Sequence, residues 1–238
     1  MQQVIQRSFF LLMLLVCPAQ ADDADSLFAL RSHGYGFMSN LISYFDPYEK
    51  YPAPKYRTAY QSALQRLREL SPNDQVRAVA ENLRELTAEL EKQSLDEIQR
   101  SYPQWMNPIL EQHAQLDRLA TGQLAKSIEQ PPGAIRKLQH LSLLNSQVLL
   151  LYQTRAVQLY AMHVDFSEDS FDLLDAQIMQ AFKELRSERE LWREPLGKLM
   201  RDYEFVRPQI RDGSRRSAAG GVGFYLGRVV RQLNELQE

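Results

Sequence analysis

Residues 148–152 read Val-Leu-Leu-Leu-Tyr, and they lie in the longest helical pattern of the chain, residues 134–163. Because consecutive apolar residues cover every side of a helix, a helix that carries them needs partners on several sides. We therefore predict a central helix with six side chains buried between at least two other helices: Leu141, Leu144, Val148, Leu151, Tyr152 and Leu159.

Helical periodicity also dominates the segments around this pattern. Apolar residues recur every three or four positions in residues 60–70, 76–90, 171–185 and 196–206, with charged residues between them. This spacing places the apolar side chains on one face of each helix. No segment alternates apolar and polar residues over the length of a strand with turn signals at both ends. The sequence predicts an all-α fold, a multi-helix bundle without a sheet.

Prolines mark the expected helix boundaries. The dipeptide Ser71-Pro72 is expected to turn a helical hairpin and to supply the cap of its second helix. Pro108 is expected to delay the next helix to residues 109–129, and Pro208 to close the helix that Pro195 restarts. These expectations rest on the missing N–H of proline, which removes one helical hydrogen bond.

Two short segments resemble each other. Residues 63–68 read Ala-Leu-Gln-Arg-Leu-Arg and residues 181–186 read Ala-Phe-Lys-Glu-Leu-Arg, and a helix-restarting proline follows each. One interpretation is a duplication that gives two related helical modules, residues 22–130 with an aromatic loop and residues 131–238. The alternative is one continuous domain, residues 22–238, because unrelated amphipathic helices share this pattern.

The first 21 residues have the three parts of a secretory signal peptide. Arg7 supplies the positive region, residues 9–16 form an unbroken apolar run, and Ala19-Gln20-Ala21 is a small-x-small cleavage site. The apolar run is shorter than the about 20 residues that cross a bilayer. We therefore expect cleavage before Asp22 and a location in the periplasm or outside the cell.

Cys17 is the only cysteine of the chain, and it offers an alternative, a lipoprotein signal. Val16 stands where such a signal places Gly, Ala or Ser, so we favour cleavage after Ala21 over lipidation. The mature chain then has no thiol and no cysteine ligand for a metal. No later stretch is long and apolar enough to form a transmembrane helix.

The formal net charge of the chain is −2 at pH 7, and this balance gives no electrostatic basis for binding nucleic acid. No nucleophile motif, phosphate-binding loop or metalloprotease motif occurs, so we expect neither catalysis nor a cofactor. Histidines lack a second histidine or a cysteine at the helical spacing of metal sites, so we expect no metal centre. The histidines are His33, His113, His140 and His163.

Residues 150–160 read Leu-Leu-Tyr-Gln-Thr-Arg-Ala-Val-Gln-Leu-Tyr. This segment resembles the signature helix of the periplasmic sensing modules in nitrate/nitrite sensor kinases and type IV pili methyl-accepting transducers. In that helix two arginines precede an apolar stretch that ends in Leu-Tyr. The resemblance covers about residues 143–208 and implies a sensor-like helical bundle that binds a small anion or a partner protein. Leu150 replaces the first arginine, and Arg155 matches the second.

Arginines cluster near the end of the chain. Residues 205–231 hold six arginines and one aspartate, a local charge of +5. We therefore add Arg207 and Arg211 to Arg155 as candidate anion-binding residues. The same basic segment includes a glycine-rich stretch and is a candidate for peripheral contact with an anionic membrane. The alternative is a linker followed by a helix that docks on the bundle.

Six tyrosines fall between residues 35 and 60, in a segment that several prolines break. Tyrosine provides contact area with a polar tip at low entropic cost, so this segment is a candidate interaction surface. Its partner would be an envelope protein, and the chain would then be a structural or assembly component. The alternative is a loop that lies over the bundle with its rings partly buried. The candidate interaction residues are Tyr44, Tyr48, Tyr51 and Tyr56.

Overall fold

The computed structural model describes residues 18–127, 133–157, 168–212 and 219–237. Within these ranges the regular elements are α-helices and there is no strand, so the prediction of an all-α multi-helix bundle is confirmed. The helices are α1 (Pro18–Tyr44), α2 (Pro54–Glu69), α3 (Asp74–Glu91), α4 (Leu95–Arg100), α5 (Tyr102–Ser127), α6 (Ala134–Ala156), α7 (Glu168–Glu188), α8 (Glu190–Asp212) and α9 (Ala219–Glu235).

The buried apolar side chains form two clusters. The first cluster joins α1 to α5 and includes Leu143 and Leu150 from one side of α6. The second cluster joins α6, α7, α8 and α9, and it includes Leu144 and Leu151 from another side of α6. Because α6 contributes side chains to both clusters, it connects the two halves of the chain through apolar packing.

The helices of the two halves pack in the same order. In the first half α1 packs on α2 and α5, and α3 also packs on α2 and α5. In the second half α6 packs on α7 and α9, and α8 also packs on α7 and α9. The similar segments 63–68 and 181–186 lie on α2 and α7, the second helix of each set. This correspondence is what a duplication would produce, and the duplication itself stays a prediction.

α6 is the central helix of the second half and packs on α1, α7 and α9. Five of its predicted core side chains are buried, which confirms the prediction for them, and Leu159 lies outside the described residues. The five are Leu141, Leu144, Val148, Leu151 and Tyr152.

α1 is a second central helix, and the sequence did not single it out. It packs on α2, α5 and α6, so its apolar side chains are buried on several sides rather than on one. Phe28, Phe37 and Met38 are among them. A helix that is buried in this way lacks the contrast between an apolar and a charged face that reveals amphipathic helices.

The predicted helix boundaries at Pro108 and Pro208 are wrong. Both prolines lie inside helices, α5 and α8, and Pro195 also lies inside α8. Met106 and Ile109, on either side of Pro108, are fully buried. Tertiary burial of an apolar face provides most of the stability of a protein helix, so it offsets the hydrogen bond that a proline removes.

The hairpin of α2 and α3 turns where the sequence predicts, but its cap differs from the predicted one. The Asn73 side-chain oxygen accepts a hydrogen bond from the backbone N–H of Val76 at 3.0 Å. The Ser71 hydroxyl instead donates to the carbonyl of Leu67 at 2.7 Å. Asn73 therefore caps the start of α3, and Ser71 closes the end of α2.

Residues 1–17, and with them most of the predicted signal peptide, lie outside the described residues. Ala24 is the first described residue of the apolar core. Cleavage before Asp22 stays a prediction. In the described part of the chain, none of the helices combines the length and apolarity that crossing a membrane requires.

Candidate binding groove

A groove of about 1330 Å³ lies between the two halves of the chain. Residues of α1, α2, α6 and α9 line it, together with residues of the loop between α1 and α2. α6 packs on both α1 and α9, so α6 forms the floor, and α1 and α9 form opposite walls. The groove face of α1 extends from Asp25 to Ser43, about 27 Å at 1.5 Å per residue.

Small and polar side chains line much of the α1 wall, beside the larger Phe28, Tyr35 and Ile42. Its groove residues recur every three or four positions, so they share one face of the helix. The other faces of α1 carry further large apolar side chains of the first core cluster, among them Phe37, Met38 and Leu41. This division leaves open space along the wall. The wall includes Ala29, Ser32, Gly36, Ser39, Asn40 and Ser43.

The floor carries three polar residues of α6 at a spacing of seven, which places them on one face of the helix. They are Gln139, Ser146 and Gln153. Gln153 ties the floor to α1, because its side-chain N–H₂ donates to the carbonyl of Ser39 at 3.2 Å and to the hydroxyl of Ser43 at 3.0 Å. The side-chain oxygens of Gln139 and Gln153 are buried and have no hydrogen-bond partner among the described residues.

The α9 wall is fixed to its neighbours by two polar contacts. The Ser142 hydroxyl of α6 donates to the Asn234 side-chain oxygen at 2.7 Å. The Arg228 guanidinium lies 2.6 Å from the Asp202 carboxylate of α8. Asn234 is near the end of α9 and Ser142 is in the first half of α6, so the beginning of α9, with Phe224, lies beside the second half of α6.

Aromatic residues gather at one end of the groove. The loop after α1 contributes Tyr51, and the first turn of α2 contributes Tyr56. The end of α1 lies beside Gln153 in the second half of α6, which is also where α9 begins. Phe224 therefore lies at the same end as the two tyrosines. Tyr51 is 88% exposed and Phe224 is 63% exposed, so both rings are open to an incoming molecule.

The four predicted interaction tyrosines have different surroundings. Tyr44 is half-buried, with its ring 4.8 Å from Phe45 and 5.8 Å from Tyr60. Tyr48 is 60% exposed but does not line the groove. Tyr51 and Tyr56 line it. The tyrosine-rich segment therefore has features of both an interaction surface and a loop that lies over the bundle. Some of its rings pack on the bundle, and others face solvent.

Two predicted anion-binding arginines form ion pairs between α7 and α8. Arg207 donates to both oxygens of the buried Asp175 carboxylate, and the Tyr203 hydroxyl donates to one of them at 3.0 Å. Arg211 lies 2.6 Å from Asp172. A carboxylate already neutralises each arginine, which weakens the case for an anion at either one.

The remaining arginines of the basic segment are mostly paired as well. Arg228 pairs with Asp202, and Arg231 lies 4.0 Å from Glu235. Arg215 and Arg216 lie outside the described residues. The described part of residues 205–231 therefore presents far less uncompensated positive charge to a membrane than its composition suggests.

Arg155 is half-buried in the last turn of α6, where a positive charge interacts favourably with the helix dipole. It does not line the groove. Within the described ranges it makes no ion pair, and the residues that follow Val157 lie outside those ranges.

A buried polar network holds α1 against α5 and α6, and sequence reasoning missed it. The Arg31 guanidinium donates to the Asp117 carboxylate at 2.7 Å, and the Tyr35 hydroxyl donates to the same carboxylate at 3.1 Å. The Gln147 side chain of α6 donates to the Tyr35 hydroxyl at 3.3 Å. Burial raises the pKa of Tyr35 and the negative charge of Asp117 raises it further, so Tyr35 stays a neutral donor.

His113 of α5 completes the close packing of this region. Its ring meets the Tyr35 ring edge-on at 4.8 Å between centroids. Burial lowers the pKa of His113 to about 4, so the imidazole is uncharged at neutral pH. A methyl group on Gly34 would lie 3.3 Å from Nε2 of His113. Gly34 therefore permits the close approach of α1 to α5.

The charges around the groove are largely balanced. Asp25 lies 4.0 Å from Arg136, and the Lys55 ammonium lies over the ring of Tyr56. Burial lowers the pKa of His33 and the Arg66 guanidinium lowers it further, so His33 is neutral at pH 7. Within the described residues no group of three or more His, Cys, Asp or Glu side chains is placed to hold a metal ion. Hydroxyl, amide and aromatic groups line the groove together with charged and aliphatic side chains.

No protein-family model, no curated protein and no solved structure matches the chain. The resemblance of residues 143–208 to periplasmic sensing modules therefore stays a prediction. Any functional assignment has to rest on the groove and on the side chains around it.

Proposed function

We propose that the chain is a non-enzymatic, sensor-like binding protein of the bacterial cell envelope, and that the groove between its two halves takes up the ligand. The polar floor carries this proposal. Gln139, Ser146 and Gln153 place polar groups, beside Leu149 and Tyr152, along a central helix whose other faces enter the two core clusters. Polar groups at the base of a groove orient a ligand by hydrogen bonding.

The groove is a better candidate than the arginines. Arg207 and Arg211 are paired with aspartates, and Arg155 lies away from the groove. The groove also exceeds the about 300–1000 Å³ of ordinary small-molecule pockets. These observations favour an extended ligand over a small anion.

The envelope location follows from the signal-peptide pattern and has a direct test. We expect N-terminal sequencing of the protein isolated from cells to give Asp22 as the first residue, because Ala19-Gln20-Ala21 has the small-x-small form that signal peptidase cleaves. A lipidated start at Cys17 would change the assignment to lipoprotein. An intact Met1 would contradict export.

Photocrosslinking in intact cells tests the groove. We expect p-benzoylphenylalanine in place of Tyr51 or Phe224 to form covalent adducts, because both rings are exposed at the aromatic end of the groove. Leu173 and Leu191 are matched control positions, since their side chains are exposed and do not line the groove. Equal adduct yields at all four positions, or none at the groove positions, would contradict the proposal.

A structural or assembly component of the envelope is the second candidate. Tyr48 and Tyr51 favour it, because two exposed aromatic rings on one short loop are typical of protein contacts. The same crosslinking separates the candidates. A docking role for the loop predicts protein adducts at Tyr48 as strong as those at Tyr51, and none at Phe224.

A further inference from the structure

A second, smaller cavity of about 240 Å³ lies at the corner where α7 and α8 meet, and we call it the hairpin cavity. Three of its four lining residues are cations, and none of the four lines the groove. α7 ends at Glu188 and α8 begins at Glu190, so a tight turn brings the two sides of the cavity together. The lining residues are Lys183, Arg186 and Ser187 of α7 and Arg193 of α8.

Arg186 is a half-buried cation that has no carboxylate partner among the described residues. Its Nε is buried and has no acceptor there, and one terminal nitrogen lies 3.8 Å from the sulfur of Met200, a weak acceptor. Arg228 also has a buried Nε without an acceptor, but its guanidinium pairs with Asp202. A partly desolvated charge without a counterion is unfavourable. An anion in the cavity would compensate the delocalised charge of Arg186, although the buried Nε itself cannot contact that anion.

α8 holds the Arg186 guanidinium in place. A Cβ atom on Gly197 would lie 3.4 Å from one terminal nitrogen of Arg186 and 3.5 Å from its Cζ and Nε. The guanidinium therefore lies against the backbone of α8, and packing rather than an acid fixes its position. Binding of an anion to a side chain that is already ordered costs little conformational entropy.

The glutamates of α7 near the cavity have other partners. Glu184 accepts a hydrogen bond from another side chain of α7 at 2.7 Å, and Glu188 pairs with Lys137 of α6 at 3.1 Å. Lys183 has no ion pair among the described residues. It lies three positions before Arg186, a spacing at which like charges on a helix repel each other. An anion bound beside both cations would remove this repulsion.

Arg193 lines the cavity from the α8 side. It pairs with Glu190 at 2.9 Å, and the two side chains are 61% and 77% exposed. An ion pair with this exposure contributes little free energy, because water screens the two charges. Arg193 can therefore contact an anion in the cavity at little cost.

We infer that the hairpin cavity binds a doubly charged oxyanion, a phosphate or sulfate group, at a site separate from the groove. Ammonium and guanidinium groups donate charge-assisted hydrogen bonds to the oxygens of such a group. These cations offer donors only, so they do not distinguish phosphate from sulfate. The cavity is smaller than the about 300–1000 Å³ of ordinary small-molecule pockets, which suits a small group. Arg207 and Arg211 differ from Arg186 because each has an aspartate partner.

Titration of the protein isolated from ¹⁵N-labelled cells, followed through its backbone amide NMR signals at constant ionic strength, tests this inference. The probes are inorganic phosphate, sulfate and acetate. We expect phosphate and sulfate to shift signals of the α7–α8 corner in a saturable way, with a Kd of about 1 mM or lower. Acetate carries one charge and should bind at least about tenfold more weakly.

Three glutamine variants locate the site. Arg186→Gln should raise the Kd for phosphate about tenfold, and Lys183→Gln should raise it about fivefold. Lys183 is exposed, so its variant should fold even if Arg186→Gln does not. Lys198→Gln is the matched control, because Lys198 is exposed on the same hairpin and does not line the cavity. It removes the same charge and should leave the Kd within about twofold.

Vesicles that contain phosphatidic acid distinguish a lipid headgroup from a free phosphate compound. Sedimentation of the protein with these vesicles, but not with phosphatidylcholine vesicles, would identify a lipid source if Lys183→Gln reduces it. Binding of inorganic phosphate without sedimentation would identify a water-soluble phosphate compound. Equal Kd values for Lys183→Gln and Lys198→Gln, acetate binding as tight as that of phosphate, or no saturable binding below about 20 mM phosphate would each overturn the inference.

Discussion

Leu151→Ala is expected to destabilise the protein by about 3–4 kcal/mol, because the substitution removes buried apolar surface and leaves a cavity. Leu151 is 0% exposed and lies on α6 in the second core cluster. α6 packs on three other helices, so the surroundings have little freedom to collapse into the space. The melting temperature should fall by roughly 10 °C for a chain of this length.

Urea unfolding followed by circular dichroism measures this effect. Leu191→Ala is the matched control, because Leu191 is 88% exposed and its truncation removes little buried surface. The control should change stability by less than about 0.5 kcal/mol. A Leu151→Ala variant as stable as the control would show that α6 is not a central helix.

Arg207→Met is expected to cost about 2–4 kcal/mol, because it leaves the buried Asp175 carboxylate without its cation. Asp175 keeps the hydrogen bond from Tyr203, and Arg211 lies 4.0 Å away. These two contacts hold the cost below that of a fully isolated charge. The free energy of unfolding from urea titration is the quantity to measure.

Arg211→Met is the control for this prediction. Arg211 and its partner Asp172 are both largely exposed, and an exposed ion pair contributes at most about 1 kcal/mol. A structural role for Arg207 therefore predicts that Arg207→Met lowers the free energy of unfolding clearly more than Arg211→Met does. If Arg207→Met were at least as stable as Arg211→Met, the arginine would be better explained as part of an anion site.

Periodicity was sufficient to predict the fold class and the central helix α6. The apolar run at residues 148–152 required partners on several sides, and α6 has them. The sequence did not single out α1, because its apolar side chains lie on several faces and leave no contrast between an apolar and a charged face. The predicted helix boundaries at Pro108 and Pro208 are wrong, because tertiary burial decides whether a helix tolerates a proline.

The groove could not be predicted, because it depends on contacts between residues far apart in sequence. Gln153 meets Ser39 and Ser43 only after α1 and α6 have packed in parallel. One feature of the sequence did indicate the polar residues of the groove floor. Gln139, Ser146 and Gln153 recur at intervals of seven in the helix that carries the apolar run. The ion pair of Arg207 could not be predicted for a related reason, since Arg207 and its partner Asp175 belong to different helices. Anion binding by the three arginines stays a prediction.

Crosslinking from position 224 in cells that carry Gly36→Leu or Gly122→Leu tests the groove as the binding site most directly. Gly36 lies in the groove wall, and Gly122 lies on the exposed side of α5 outside the groove. A Cβ atom added at either position meets no atom within 4 Å, and leucine has a higher helix propensity than glycine, so both variants should fold like the parent. If the groove holds the ligand, Gly36→Leu should reduce the adduct yield about tenfold while Gly122→Leu leaves it unchanged. Equal yields from the two variants would show that the ligand of Phe224 does not enter the groove.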